Sequence, residues 1–246
     1  MPSAESIDRY RSRQASLEGK LDAALTRHFN GLDLSDPAAA KRDLMRFIPQ
    51  LVKRFGPVSA QLAVEWYQEL MAASGDAGTF TPTPARSSLS AADMAASVES
   101  ASGGLFDGDP SRVLGYLATY TGLWVQQQGR DTIRKNADRE GVMWARVPRG
   151  AITCAWCLVL ASRGADYVSE NSARLASDGE PYHPKCDCQP VRIASKEDYP
   201  KGYLPDDWLD MYMEARKASG SGDIRDIASH MREMYPDILT DGVHAH

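Results

Sequence analysis

Residues 154–157 are CAWC and residues 183–188 are HPKCDC, and these two runs contain all four cysteines of the 246-residue chain. Two cysteines separated by two residues can bind one tetrahedral ion from a tight turn, and the second run supplies further sulfur and imidazole donors. The spacing therefore predicts a structural zinc site with five candidate ligands for four positions. The candidates are Cys154, Cys157, His183, Cys186 and Cys188.

Two other interpretations of these cysteines stay open. A CxxC pair alone is typical of thioredoxin-like redox proteins, but such a pair normally opens a helix in a βαβ unit, a pattern that is missing here. Crossed disulfides, Cys154–Cys186 and Cys157–Cys188, are also geometrically feasible. Zinc fits the donor set best, because sulfur and imidazole suit tetrahedral zinc. We favour Cys154, Cys157, His183 and Cys186 as ligands, with Cys188 as an alternative to His183 or as an outer thiol.

The sequence on either side of the cysteines predicts the fold. Residues 142–147 and 191–194 are typical of two short antiparallel strands flanking the cluster. Apolar residues at helical spacing precede and follow them. The predicted fold class is therefore mainly α with a small α+β zinc-knuckle module. The predicted domains are an α-helical domain at 1–140 with an exposed connector at 75–90, the Cys/His module at 141–195 and an acidic helical tail at 196–246.

Some local features of the helical domain predict interruptions or exposure. Pro49 should kink or split the second helix, and Gly56-Pro57 should end it and open the next. The polar run QQQGRDTIRKNADRE (126–140) is expected to face solvent. A modest basic stretch begins within this run and continues beyond it. We expect its side chains to face solvent rather than to contact nucleic acid. It consists of Arg130, Arg134, Lys135, Arg139, Arg146 and Arg149.

The charge of the chain is unevenly distributed. The formal net charge is -5, and residues 196–246 carry six Lys and Arg against eleven Asp and Glu, so residues 1–195 are neutral. This balance argues against a protein that coats duplex DNA, because phosphate affinity depends on concentrated Lys and Arg. No run approaches the roughly 18 to 20 apolar residues of a membrane span, and the N-terminus lacks the pattern of a signal peptide. We expect a soluble protein without membrane contact.

The segments WARVPRGAITCAWC (144–157) and YHPKCDCQPV (182–191) resemble the MuF-like minor head proteins of tailed bacteriophages, in particular their VG15 type. The resemblance implies a structural minor capsid protein that associates with the portal or major capsid protein inside the virion head. It implies help in head assembly and in DNA packaging or ejection, and it allows a weak contact with packaged DNA. The matching positions are Arg146, Cys154, Cys157, His183, Pro184, Cys186 and Cys188.

The sequence contains no recognisable catalytic set. A phosphate-binding loop, an HExxH motif and a GxSxG motif are all missing, and the roughly 50 residues after the cysteines are too few for an independent catalytic domain. We therefore expect a non-enzymatic protein with no small-molecule substrate. The alternatives are a zinc-knuckle nucleic-acid-binding protein and a nuclease or transferase that uses the knuckle as a scaffold.

Overall fold

The computed structural model describes residues 3–148, 152–165, 182, 186 and 188–240. This part of the chain is mainly helical with short strands, which confirms the predicted fold class. The helices are α1 (Ala4–Phe29), α2 (Pro37–Ala73), α3 (Ala91–Ala101), α4 (Pro110–Glu140), α5 (Ala155–Ala161), α6 (Pro205–Ser219) and α7 (Ile224–Met234). The strands are β1 (Met143–Val147), β2 (Thr153–Cys154), β3 (Gln189–Ile193) and β4 (Leu239–Thr240).

The chain divides into two compact units that are discontinuous in sequence. The first, here called the helical unit, comprises Ile7–Trp66 and Pro82–Thr132. The second, here called the cysteine unit, comprises Met1–Ser6, Tyr67–Thr81 and Ile133–His246. Helices α2 and α4 therefore contribute residues to both units. The division of the sequence into 1–140, 141–195 and 196–246 stays a prediction.

The helical unit has one apolar core built from α1, α2, α3 and α4. Each helix contributes apolar side chains three or four positions apart, which is the spacing that places them on one face. This spacing agrees with the helical periodicity predicted for the residues before the strands. The buried core residues are Leu17, Leu21, Leu25, Phe29, Ala40, Leu44, Ile48, Leu51, Val52, Met94, Val98, Leu105, Val113, Leu117 and Val125.

The prediction that α2 breaks is wrong, because the helix runs through Pro49 and Pro57 without interruption. An interior proline costs roughly 3 kcal/mol, so the helix needs packing on both sides of it. Gly56, interpreted as a helix stop, instead provides space, because a Cβ there would clash with Oε1 of Gln128. Apolar residues are buried on both sides of Pro57, and the packing of these residues offsets the cost of the proline. The buried residues include Leu51, Val52, Ala60 and Ala63.

The polar second half of α4 is solvated only in part: Lys135 and Arg139 are exposed, but one side of the helix is buried, contrary to the prediction. Arg130 is only 1% exposed, and Asp131, Thr132 and Asn136 are buried as well. Within the helical unit, the backbone N–H of Ala85 donates to Oγ1 of Thr132 over 3.0 Å. Polar side chains can be buried at little cost when they are hydrogen-bonded in this way. The polarity of this run therefore reflects internal hydrogen bonding on its buried side and exposure at Lys135 and Arg139.

The cysteine unit is built around the pairing of β1 with β3. The two strands are antiparallel, in a register that places Met143 opposite Ile193 and Val147 opposite Gln189. This pairing confirms the two predicted strands. The sequence missed a second, parallel pair, β2 with β4. A separate apolar core joins α5 to α6 and α7. Its buried residues are Ala155, Leu158, Val159, Ala215, Ile227, Ala228, Met231 and Leu239.

A buried ion-pair network holds the middle of β3 in the cysteine unit. The side chain of Arg192 is 1% exposed, and its Nε donates to Oε2 of Glu140 over 2.8 Å. Its Nη2 contacts Oε1 of the same carboxylate and lies 2.8 Å from Oδ2 of Asp76. The hydroxyl of Tyr67 donates to Glu140 over 2.6 Å. Burial and this carboxylate raise the pKa of the Tyr67 hydroxyl, so the phenol remains a hydrogen-bond donor at neutral pH.

Replacing Arg192 should destabilise the protein strongly. Arg192→Met leaves the Glu140 carboxylate buried without its cation, so we expect the free energy of unfolding to fall by roughly 3 to 5 kcal/mol in urea titrations. Arg46→Met is the matched control. The Arg46 side chain is 76% exposed, and a change within about 0.5 kcal/mol is expected there. Equal losses in the two variants would contradict a stabilising network at Arg192.

Candidate metal centre

Short structural elements carry the four cysteines. Cys154 ends β2 and is the residue immediately before α5, while Cys157 lies in the first turn of α5. Cys188 directly precedes β3, and Cys186 lies two residues earlier. All four are buried and none is joined in a disulfide, so neither of the crossed disulfides considered from the sequence is formed.

Three of these thiols form a compact group. The Sγ atoms of Cys157, Cys186 and Cys188 all lie within 4.8 Å of one another, and those of Cys157 and Cys186 are 3.3 Å apart. Each residue is at most 6% exposed. Converging, buried sulfur donors are the arrangement that a thiolate-binding metal requires. The group could therefore hold a metal ion.

The structure groups Cys188, rather than Cys154, with Cys157 and Cys186. Cys154 lies beside the group, hydrogen-bonded through its side chain to Cys157. This arrangement differs from the ligand set favoured from the sequence, which included Cys154 and made Cys188 an alternative. His183, the predicted imidazole ligand, lies outside the described residues, as does Pro184.

The thiol of Cys157 is strongly held in its protonated form. Side-chain hydrogen bonds with Cys154, Cys186 and Cys188, together with burial, raise its pKa well above the usual range. A metal ion binds the thiolate and must displace these protons. Sulfur donors favour soft or borderline ions over Mg²⁺ or Ca²⁺, which prefer oxygen.

A buried arginine lies beside the thiols. Arg146, on β1, is 4% exposed, and its guanidinium carbon lies 3.9 Å from the ring centroid of Tyr182. Burial by itself lowers the pKa of Arg146. The opposing effect of the Tyr182 hydroxyl and of the thiols of Cys188, Cys186 and Cys157 is larger, so the pKa is raised overall. Arg146 is therefore a permanent positive charge next to the sulfur group.

The sequence prediction placed Arg146 in a solvated basic stretch, and that prediction is wrong. Arg130 is buried as well, whereas Lys135 and Arg139 of the same stretch are exposed, as predicted. Arg134 lies over the ring of Trp144, and Arg139 lies over that of Phe80. Arg149 lies outside the described residues. Two signals could have identified Arg146: it occupies the middle of an apolar strand, and it is one of the positions that carry the family resemblance.

The fold and the cysteine group define a mainly helical protein with a small α+β module that gathers three thiols. The family model described as VG15 protein matches residues 1–215, so the chain belongs to the VG15 family. This match confirms the resemblance drawn from the sequence and makes the chain a bacteriophage protein.

A curated relative gives the same assignment. The chain is similar to the Gene 15 protein of Mycobacterium phage D29, with 32% identity over 111 residues. The match covers 33% of this chain and 40% of that relative, so it spans less than half of the relative's length. No solved structure matches the chain. Among the described residues, no helix is both long and apolar enough to cross a membrane.

Proposed function

We propose that this protein is a non-enzymatic structural component of the phage head. It would associate with the portal or major capsid protein inside the capsid, and would assist head assembly and the packaging or ejection of DNA. Membership of a phage protein family supports the proposal. The observation that carries it is an exposed apolar and acidic surface on the C-terminal helices, since an assembly protein needs a surface for attachment.

This surface centres on α6. In the part of the chain that the structure describes, five of the ten exposed large apolar side chains lie between Leu204 and Ile238. Leu209 and Met213 are four residues apart and so share one face of α6, and Asp206 and Asp210 adjoin them on that face. An apolar centre beside carboxylates fits a partner surface that is apolar and basic.

Removing the apolar centre should reduce incorporation into heads. The double variant Leu209→Ala/Met213→Ala should fold like the parent, because surface changes alter stability by only about 0.5 kcal/mol. We expect severalfold fewer copies per head in quantitative mass spectrometry, and weaker co-purification with the portal or the major capsid protein.

The matched control for this experiment lies in the helical unit. Val58→Ala/Phe106→Ala removes two other exposed apolar side chains, and its incorporation should equal that of the parent. Normal incorporation of the α6 variant would overturn the proposed attachment surface. Normal heads formed without this protein, together with the loss of a hydrolase activity, would instead favour an enzyme.

We further propose that the thiol group holds a structural zinc ion. Cys157, Cys186 and Cys188 would each provide a ligand, and Cys154 or His183 would supply the fourth. When bound, the ion would hold α5 next to the chain that enters β3. The elements that carry or adjoin the thiols are small: one helix of seven residues and two strands of five residues. Because such elements bury little apolar area, metal ligation would contribute to their stability.

Metal analysis of the reduced protein tests this assignment. The purified full chain should contain one zinc ion, and Cys157→Ser should lose it and melt at a lower temperature. Val159→Ala is the control, because Val159 is a buried residue of α5 in the apolar core; this variant should lose stability while it retains the zinc. A reduced, folded parent without stoichiometric metal would contradict the proposal.

A specific observation also favours the weak DNA contact. Arg42, Arg46 and Lys53 are exposed on α2 and lie within about 40° of one another around its axis, over roughly 16 Å of its length. The carboxylate of Asp43 lies 3.6 Å from the guanidinium of Arg46, whose side chain is 76% exposed. A cationic ridge of this length could follow the phosphates of one DNA strand.

The DNA contact predicts a weak, salt-dependent affinity. The slope of log K against log salt should be about −2 to −3 for the parent and near zero for Arg42→Ala/Arg46→Ala/Lys53→Ala. The control Lys20→Ala/Arg27→Ala/Lys135→Ala removes the same charge from exposed positions elsewhere, and it should keep the parent's slope. Equal slopes for the two triple variants would exclude a specific ridge.

A further inference from the structure

The outer faces of α6 and α2 carry one residue pattern with opposite charges. In both helices a charged residue is followed three positions later by an apolar residue, and the unit is repeated after four positions. On α6 these residues, here called the acidic face, are Asp206, Leu209, Asp210 and Met213. On α2 they are called the basic face and consist of Arg42, Met45, Arg46 and Pro49.

The side chains of both faces are accessible. All four charged residues are exposed, and the apolar residues Leu209 and Met213 are 43% and 50% exposed. Met45 and Pro49 are partly exposed. Neighbouring exposed apolar side chains rimmed by polar residues are typical of a contact surface. Each face therefore has both an apolar and a charged component to offer a partner.

The charge of the basic face is only partly met within the chain. One carboxylate oxygen of Asp43, Oδ2, lies 3.6 Å from the guanidinium of Arg46, while the other, Oδ1, lies 2.5 Å from Nε2 of His28. The Arg46 side chain is nevertheless 76% exposed. An exposed pair of this kind contributes little, so Arg46 can contact a further carboxylate.

Helical geometry determines how the two faces fit together. Residues four positions apart lie within about 40° of one another around the helix axis and about 6 Å apart along it, and each apolar pair lies about 60° to one side of its charged pair. Because the pattern is the same, this side is the same in both helices. Two such faces match only when the helices are antiparallel, since a parallel arrangement sets the apolar pair of one against the charges of the other.

The antiparallel arrangement satisfies charge and apolar contact together. Asp206 can then face Arg46, and Asp210 can face Arg42, because both charged pairs have the same spacing. Leu209 comes near Met45 between the two ion pairs. Matching of opposite charges across an interface favours one register and one partner over others. One chain thus carries both halves of a complementary contact.

We propose that copies of this chain associate head to tail, with the acidic face of α6 in one copy against the basic face of α2 in the next. The inference rests on the proposed attachment surface, since it names a second copy as a partner of α6. The two faces differ, so the contact is heterologous, and an open row of copies leaves one face of each kind free at its ends. The free α6 face remains available to the portal or major capsid protein, and the free α2 face to DNA.

Sedimentation of the nuclease-treated full chain tests the association. The mean mass of the parent should rise with protein concentration and fall with added salt, which screens exposed charges. Two variants reverse one face each: Asp206→Lys/Asp210→Lys and Arg42→Glu/Arg46→Glu. Each alone should raise the dissociation constant at least about tenfold, because two attractive pairs become repulsive. A parent that stays monomeric at every concentration would overturn the proposal.

Mixing the two variants is the decisive measurement. Each variant retains one parental face, and the two reversed faces are complementary to each other. An equimolar mixture should therefore regain the mass distribution of the parent, although neither variant associates alone. A mixture no larger than its separate components would show that the two faces do not meet.

Matched controls reverse the same number of charges at exposed positions elsewhere. Glu233→Lys/Asp237→Lys and Lys20→Glu/Arg27→Glu should associate like the parent. Circular dichroism reports whether each variant folds, and recovery in the mixture cannot come from unfolded chains. A loss of association in the controls equal to that in the α6 and α2 variants would mean that net charge, rather than the two faces, is responsible.

The remaining outcomes separate this contact from the proposed function. Association that disappears on nuclease treatment would assign the basic face to DNA and overturn the contact between copies. If the mixture fails while Leu209→Ala/Met213→Ala still reduces incorporation into heads, the attachment surface stands and the contact between copies does not. If the mixture recovers while that variant is incorporated normally, only attachment to the portal or major capsid protein fails.

Discussion

The antiparallel pairing of β1 with β3 is the constraint on which the cysteine cluster depends. The register joins residues that are more than 40 positions apart, from Met143 opposite Ile193 to Val147 opposite Gln189. It fixes Arg146 on one strand and places Cys188 at the start of the other. Because Cys157 enters from α5, the sulfur group forms only where the helix and the strand pair meet. A metal ion would therefore link α5 to the chain that enters β3. Without the ion, backbone hydrogen bonds between two short strands hold this part of the unit.

The same pair of strands buries two arginines in different chemical surroundings. Arg192 contacts carboxylates, so its charge is compensated whatever else binds. Arg146 lies over Tyr182 and beside thiols, whose charge depends on whether they hold a metal. One arginine is therefore held by carboxylates, whereas the other lies against an aromatic ring beside sulfur atoms.

Sequence patterns predicted the features that local chemistry determines. Helical periodicity predicted helices before and after the strands, strand patterns located β1 and β3, and cysteine spacing identified the cluster. The failures share one cause, which is tertiary packing. Pro57 does not end α2 because buried residues flank it, and the polar half of α4 is buried because its side chains are hydrogen-bonded. Spacing along the chain cannot decide which three of four nearby sulfurs converge, since that depends on how α5 meets β3.

The C-terminal helices pack against α5 within the cysteine unit. Leu158 and Val159 of α5 share an apolar core with Ala215 of α6 and Met231 of α7. The exposed face of α6 with Leu209 and Met213 is thus supported by the helix that carries Cys157. A ligand that binds only the folded state stabilises every element that folds with its site. Metal bound at the thiols would consequently stabilise the proposed attachment surface as well.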